Sequence, residues 1–213
     1  MQTDDLISLL SASNQPVDTG WLRRATWLGA LGALMLTAVL VVSTLGARRD
    51  LAGALMTVPV IAKFLFGFSL AAIALTLFQR SLRPGTRARP LLPLVALPVG
   101  FVVVWAAVTL LQAPPEQWSV LTFGRNWRSC LINVPLLALC PLAILALLAR
   151  RGAPVDGRLT ALSAGLASAG LAVMGYALHC PDDTVPFLAT WYTLAIAISA
   201  TVATLALPRL LRW

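Results

Sequence analysis

Charged residues are scarce in this sequence, and so are the side chains from which most enzyme sites are built. Only 11% of the 213 residues are charged, and 8 of them are acidic. The sequence has only 3 cysteines and a single histidine. Soluble globular domains carry about 25% charged residues, so the composition excludes an ordinary soluble domain. The sequence also has no Cys-x-x-Cys, no His-Glu-x-x-His and no nucleotide-binding glycine loop. We therefore expect a protein that is not an enzyme.

Apolar residues, in contrast, make up 59% of the chain and gather into six long runs. A helix needs roughly 20 apolar residues to cross a bilayer. Because lipid offers no hydrogen-bond partner to backbone groups, we expect these continuous apolar runs to cross it as helices. The six runs cover residues 26–46, 58–78, 91–111, 131–149, 160–178 and 188–207. The sequence thus predicts an all-α integral membrane protein, with a six-helix transmembrane domain over residues 26–213 and a tail over residues 1–25.

The formal net charge of +8 comes from arginines that are distributed unevenly between the connecting segments. They concentrate before the first run, after the second and the fourth, and at the C-terminus. No aromatic-basic nucleic-acid motif accompanies them, so we expect no direct contact with nucleic acid. Because basic residues favour the cytoplasmic side of a membrane, the pattern predicts that both termini are cytoplasmic.

Lys63 is the one charged residue inside a predicted span. It lies near the outer boundary of the second span, where its long side chain can reach the interface, and we interpret it as an anchor. The main rival class is a small membrane transporter or channel, with Lys63, Gln112 and Asn133 along a pathway. These residues lie in the outer third of the spans rather than at the midplane, which argues against that class.

The tail carries a short amphipathic pattern. Asp4 and Asp5 would occupy the first turn of a helix, and Leu6 and Leu9 would share one face of it. So short a helix is marginal alone in water. It could dock on the bundle itself or in the groove of a partner protein, whereas its acidic residues disfavour an anionic membrane surface.

Two cysteines are predicted at the outer side of the membrane. Cys130 begins the fourth span and Cys180 follows the fifth, so both lie at the open end of one helical hairpin. In an oxidising compartment they could form a disulfide. They could also be a redox- or metal-responsive pair, or unrelated thiols. Cys140 lies deeper in the fourth span, and we expect it to be a small buried hydrophobic residue.

His179, Asp182 and Asp183 surround Cys180 in sequence. With Cys130 they could bind zinc or a softer thiophilic ion, transiently, through Cys130, Cys180 and His179, although adjacent His and Cys residues are not a familiar ligand spacing. A membrane thiol-redox protein is a further reading. Such an enzyme would normally need a second thiol pair near a cofactor, which three cysteines do not supply.

Several segments of the chain resemble one family. Residues 176–183 read Tyr-Ala-Leu-His-Cys-Pro-Asp-Asp and are followed by Phe187 and the Trp191-Tyr192 pair; Thr-Asp-Asp-Leu-Ile at 3–7, Cys130, and Arg-Gly-Ala-Pro at 151–154 occur in matching order. This arrangement is similar to that of the NrsF family of bacterial inner-membrane anti-sigma factors, and the resemblance spans essentially the whole chain.

The resemblance implies a six-span negative regulator that holds an extracytoplasmic-function sigma factor at the bacterial inner membrane until a metal or oxidative stress in the envelope releases it. Cys130 and Cys180 match the paired cysteines of the family, and together with His179, Asp182 and Asp183 they would sense the signal. The tail residues Asp4, Asp5, Leu6 and Leu9 would bind the sigma factor. Self-association is left open by the sequence.

Overall fold

The computed structural model describes Ser8 and residues 20–83 and 85–210, and all of its regular elements are helical. Six long helices follow one another along the chain. They are α1 (Trp21–Thr44), α2 (Val58–Ser81), α3 (Ala96–Gln112), α4 (Trp127–Ala149), α5 (Gly157–Tyr176) and α6 (Thr193–Leu210). The connections contain short helices at Leu51–Ala54 and Trp118–Phe123. Tight 3₁₀ turns at Arg89–Val95 and Pro115–Gln117 precede α3 and the second of these short helices.

Six helical segments in the described part of the chain are long and apolar enough to cross a membrane, as the hydrophobic runs predict. Several bounds differ from the prediction. Helix α1 begins at Trp21, before the start of the first apolar run at residue 26. The last segment begins at Val185 and passes through a π-helical turn, Leu188–Tyr192, before α6.

Helix α5 forms the centre of the structure and is buried along nearly its whole length. Its small residues allow α2 and α6 to approach its backbone closely. A Cβ atom added at Gly170 would lie 2.7 Å from the Gly67 carbonyl oxygen in α2, and one at Gly165 would lie 2.9 Å from the Ala200 Cα atom in α6. Residues 163–170 therefore pack closely against α2 and α6 through their small side chains, which is the mode that membrane helices use.

The packed helices have two distinct ends. At one end the segment after α5 meets the segment after α1, where the Arg48 N–H donates to the Leu178 carbonyl oxygen at 3.1 Å. We call this the thiol end, because Cys130 and Cys180 lie there. Helix α1 has 24 residues, so at about 1.5 Å per residue the opposite end is about 36 Å away.

The opposite end, which we call the arginine end, carries the beginning of α1 and the connections α2–α3 and α4–α5. Arg89 and Asp156 join these two connections through an ion pair at 2.8 Å. The Ala153 N–H donates to the Leu82 carbonyl oxygen at 3.2 Å, and the Arg151 guanidinium lies 6.0 Å from the Trp21 ring centroid. The arginine-rich segments predicted to share one side therefore lie together.

Candidate functional site

The two predicted signal-sensing cysteines belong to one buried cluster at the thiol end. Cys130 is in the first turn of α4, where its N–H donates to the Asn126 carbonyl oxygen at 2.9 Å; Cys180 follows α5, where its N–H donates to the Tyr176 carbonyl oxygen at 3.1 Å. Both are free thiols with no exposed surface. The structure thus brings together the pair that the sequence placed at the open end of a hairpin.

Two tyrosines complete this cluster. The rings of Tyr176 and Tyr192 are fully buried, with centroids 6.1 Å apart, and both belong to the same buried cluster as Cys130 and Cys180. Neither hydroxyl has a hydrogen-bond partner within the described residues. Cys180 lies next to Tyr192, and Asn133 lies next to Tyr176, but neither pair has the geometry of a hydrogen bond.

An ion-pair network fixes the segment that carries Cys180. Asp183 accepts from the Lys63 Nζ at 2.6 Å and from the Arg48 Nη2 at 2.8 Å, and both cations also donate to the Cys180 carbonyl oxygen, at 3.2 and 3.3 Å. Burial opposes ionisation of Asp183, but the hydrogen bonds from Arg48 and Lys63 hold its pKa below the usual value. The network ties α2, the segment after α1 and the Cys180 segment together.

Lys63 corrects one prediction from the sequence. Its side chain is only 1% exposed and points into the protein toward Asp183, so it does not extend to an interface as an anchor. Its ammonium group also lies 5.8 Å from the Tyr192 ring centroid, a distance at which a cation is attracted to an aromatic face. Lys63 is therefore part of the thiol end.

Asp182 connects the segments of the two cysteines. Its carboxylate accepts from the backbone N–H groups of Arg125 and Asn126, at 3.1 and 2.8 Å, and from the Asn126 Nδ2 at 3.0 Å. Gly124 allows this approach, because its φ is +54° and an added Cβ would lie 2.8 Å from the Asp182 carboxyl carbon. The start of α4, with Cys130, is thereby held to the Cys180 segment.

His179 contacts the segment after α1. Its Nδ1 lies 2.9 Å from the Gly46 carbonyl oxygen, and because a carbonyl only accepts, Nδ1 carries the hydrogen. Among the described residues, no group of three or more His, Cys, Asp or Glu side chains is close enough to hold a metal ion. The predicted ligand set of Cys130, Cys180 and His179 is therefore not assembled here, and the two thiols alone stay candidate ligands.

The thiols themselves are protected in this arrangement. Burial raises the pKa of the Cys180 thiol, so the reactive thiolate is a minor form at neutral pH. Cys140, by comparison, lies in the middle of α4 and is only partly covered by the other described helices, so its burial within the bilayer stays a prediction. Whether Cys130 and Cys180 form a disulfide stays a prediction.

Sequence reasoning missed the roles of Arg48 and Lys63, and it did not single out the tyrosine hydroxyls. One signal was present for Lys63: an intramembrane charge needs a partner, and Asp183 follows a span at the same predicted side. The predicted sigma-factor-binding residues Asp4, Asp5, Leu6 and Leu9 lie outside the described residues.

Comparison with known proteins agrees with the predicted resemblance over the full length of the chain. The model of the NrsF family, described as negative regulator of sigma F, matches residues 10–213. The probable anti-sigma-F factor NrsF of Azospira oryzae is 34% identical over 224 residues, and the anti-sigma-F factor NrsF of Caulobacter vibrioides is 33% identical over 219 residues. Each alignment covers 100% of both chains.

No solved structure matches this chain. The match to the family model and the identities to two full-length relatives are independent of the contacts described above, and they confirm the resemblance carried by the residues around Cys180. The chain belongs to the NrsF family of negative regulators of sigma F.

Proposed function

We propose that this protein is a membrane-embedded anti-sigma factor. It sequesters an extracytoplasmic-function sigma factor at its cytoplasmic face and releases it when an envelope signal, metal or oxidative stress, acts on Cys130 and Cys180. The observation that carries this proposal is the likeness, along the entire chain, to two proteins named as anti-sigma-F factors. Its role is regulatory and not catalytic.

The uneven distribution of arginines supports an orientation in the bacterial inner membrane. The arginine end holds Arg80, Arg87 and Arg150, among others, and basic residues favour the cytoplasmic side. In this orientation the thiol end faces the periplasm, where thiols can be oxidised. The tail before α1 then begins at the cytoplasmic end, where a sigma factor is available.

The contacts at the thiol end suggest how a change at the sulfurs would be transmitted. Asp182 connects the Cys180 segment to the start of α4, and Lys63 connects the same segment to α2. A disulfide, or a thiophilic ion held by the two thiols, would shift α4 against α5. Transmission requires two states of the packed helices that differ in affinity for the sigma factor, so that the shift favours release.

A reporter for transcription by the cognate sigma factor tests both halves of this proposal. Cys130→Ser and Cys180→Ser should abolish induction by a thiophilic metal while repression persists, because serine cannot form a disulfide and binds soft metals poorly. Cys140→Ser is the matched control, since it removes a thiol outside the cluster. Normal induction in the Cys130 and Cys180 variants would remove the sensor role.

The tail is tested in the same reporter strain. Asp4→Ala combined with Leu6→Ala and Leu9→Ala should release the sigma factor without inducer, while the amount of protein in the membrane fraction stays unchanged. Co-purification of the sigma factor with the wild type, but not with this variant, checks binding directly. Persistent repression would move the binding surface from the tail to the arginine end.

A further inference from the structure

The hydroxyls of Tyr176 and Tyr192 are an exception to a strong rule of protein interiors. Buried polar groups nearly always have a hydrogen-bond partner, and an unpaired one destabilises the fold by its lost hydration. Both tyrosine side chains have no exposed surface, and neither hydroxyl has a partner in the described part of the chain. A phenylalanine at either position would fill the same space without this cost.

The surroundings of the two hydroxyls suggest what they are for. The Cys180 thiol lies beside the Tyr192 hydroxyl, and both cysteines and both tyrosines pack in one buried cluster. Phe187 packs edge-on against Tyr192, with ring centroids 6.1 Å apart, and the cluster excludes solvent. A protonated thiol is a weak hydrogen-bond acceptor. A thiolate is charged, and hydrogen bonds to charged groups are about twice as strong as neutral ones.

Binding of a thiophilic cation would change the sulfurs in this way. Each thiol loses its proton to solvent, each sulfur donates an electron pair to the cation, and no group is oxidised or reduced. Two buried thiols without a third ligand fit a soft cation of low coordination number, such as Cu(I). The charge that develops on the sulfurs then needs donors, and the cluster contains two unused hydroxyls.

We infer that Tyr176 and Tyr192 are positioning residues for the thiol pair, whose hydroxyls donate hydrogen bonds to Cys130 and Cys180 in the cation-bound state. The inference rests on the proposed function, because it assumes that the two thiols receive the signal. The hydroxyls destabilise the metal-free protein and stabilise the loaded one. The tyrosines therefore raise the affinity for the cation from both sides of the equilibrium.

The test uses the full chain in detergent, reduced and free of oxygen, with Cu(I) alone as the probe. Tyr176→Phe, Tyr192→Phe and the double variant are compared with the wild type. Competition against a coloured Cu(I) chelator gives the affinity, and thermal unfolding of the metal-free protein gives the stability. We expect each substitution to weaken Cu(I) binding roughly 10-fold or more, as for other groups that support a metal ligand.

The metal-free variants should unfold at the same temperature as the wild type or at a higher one, because an unpaired hydroxyl is removed. Thr193→Val is the matched control: it removes another buried hydroxyl without a described partner that is not among the groups acting on the sulfurs, and it should leave Cu(I) affinity unchanged. A weaker Cu(I) affinity together with an unchanged or higher unfolding temperature identifies Tyr176 and Tyr192 as positioning residues. An ordinary structural residue would lower the unfolding temperature when it is replaced.

Two results would overturn the inference alone: Cu(I) affinity of the double variant within twofold of the wild type, or a lower unfolding temperature of the metal-free Tyr→Phe proteins. Failure of the wild type itself to bind Cu(I), with the Cys130→Ser and Cys180→Ser variants indistinguishable from it, would overturn the thiol site of the proposed function together with the inference. The same measurements therefore distinguish failure of the inference alone from failure of the thiol site.

Discussion

Asp183 is the residue on which the thiol end depends most directly. It is the common acceptor for two cations, Arg48 and Lys63, and the second of these is almost completely buried. A buried ion pair need not be more stable than an apolar replacement. Removing one partner alone is different, because the remaining charge is then left without compensation in a place that water cannot reach.

Asp183→Asn should therefore destabilise the protein strongly, by about 3 kcal/mol, because Lys63 loses its carboxylate. Lys63→Met should cost less, since Asp183 keeps Arg48 and the buried charge is gone. Chemical unfolding of the purified protein in detergent measures both. Equal loss in the two variants would contradict the assignment of Lys63 as the buried partner.

The same experiment has a pH dependence with a defined sign. The pKa of Asp183 is lower in the folded protein than its ordinary 3.8, so its contribution is fully present above about pH 4 and is lost as the pH falls through the lower folded value. The wild type should lose stability in this acid range more steeply than Asp183→Asn. Asp156, whose pKa is lowered by Arg89 at the exposed arginine end, contributes in the same range to both proteins.

At the scale of elements, the hydrophobic runs predicted the six helices and their order, because length and apolar content are local properties of a sequence. The contacts between elements could not be predicted in this way. The hydrogen bonds of Asp182 to Arg125 and Asn126 join residues far apart in the chain. The π-helical turn before α6 is not predicted by any periodic pattern of apolar residues in the sequence. The thiol pair was predicted from topology, and the direction of the Lys63 side chain was not.

The close packing of α5 gives the prediction at this scale. Gly170→Ala should destabilise the protein by about 2 kcal/mol, because the added methyl would lie 2.7 Å from the Gly67 carbonyl oxygen and 2.9 Å from the Ala71 nitrogen, and backbone atoms of α2 cannot move aside alone. Gly32→Ala in α1 is the control. Apart from its two chain neighbours and the nearby backbone of its own helix, no heavy atom among the described residues lies within 4 Å of the added Cβ. Thermal unfolding in detergent compares the two, and equal stability would contradict this packing of α2 against α5.

For the whole molecule, the separation between the thiol end and the arginine end gives the proposed function its physical content. An envelope signal at Cys130 and Cys180 can act on a cytoplasmic sigma factor only if the two ends lie on opposite sides of the membrane, with packed helices that move together. Because α5 contacts α1, α2, α4 and α6, a displacement beside it changes the packing of several helices at once.

This orientation can be measured with an impermeant maleimide, although Cys130 and Cys180 are too deeply buried to be the targets. In a chain carrying Cys130→Ser, Cys140→Ala and Cys180→Ser, a single cysteine is introduced at Arg49, exposed at the thiol end, or at Arg87, exposed at the arginine end. We expect the reagent to modify Arg49→Cys in intact spheroplasts, and Arg87→Cys only after the membrane is permeabilised, because basic segments stay in the cytoplasm. Labelling of both positions before permeabilisation would place the two ends on one side, and a signal at the thiols would then have no membrane to cross.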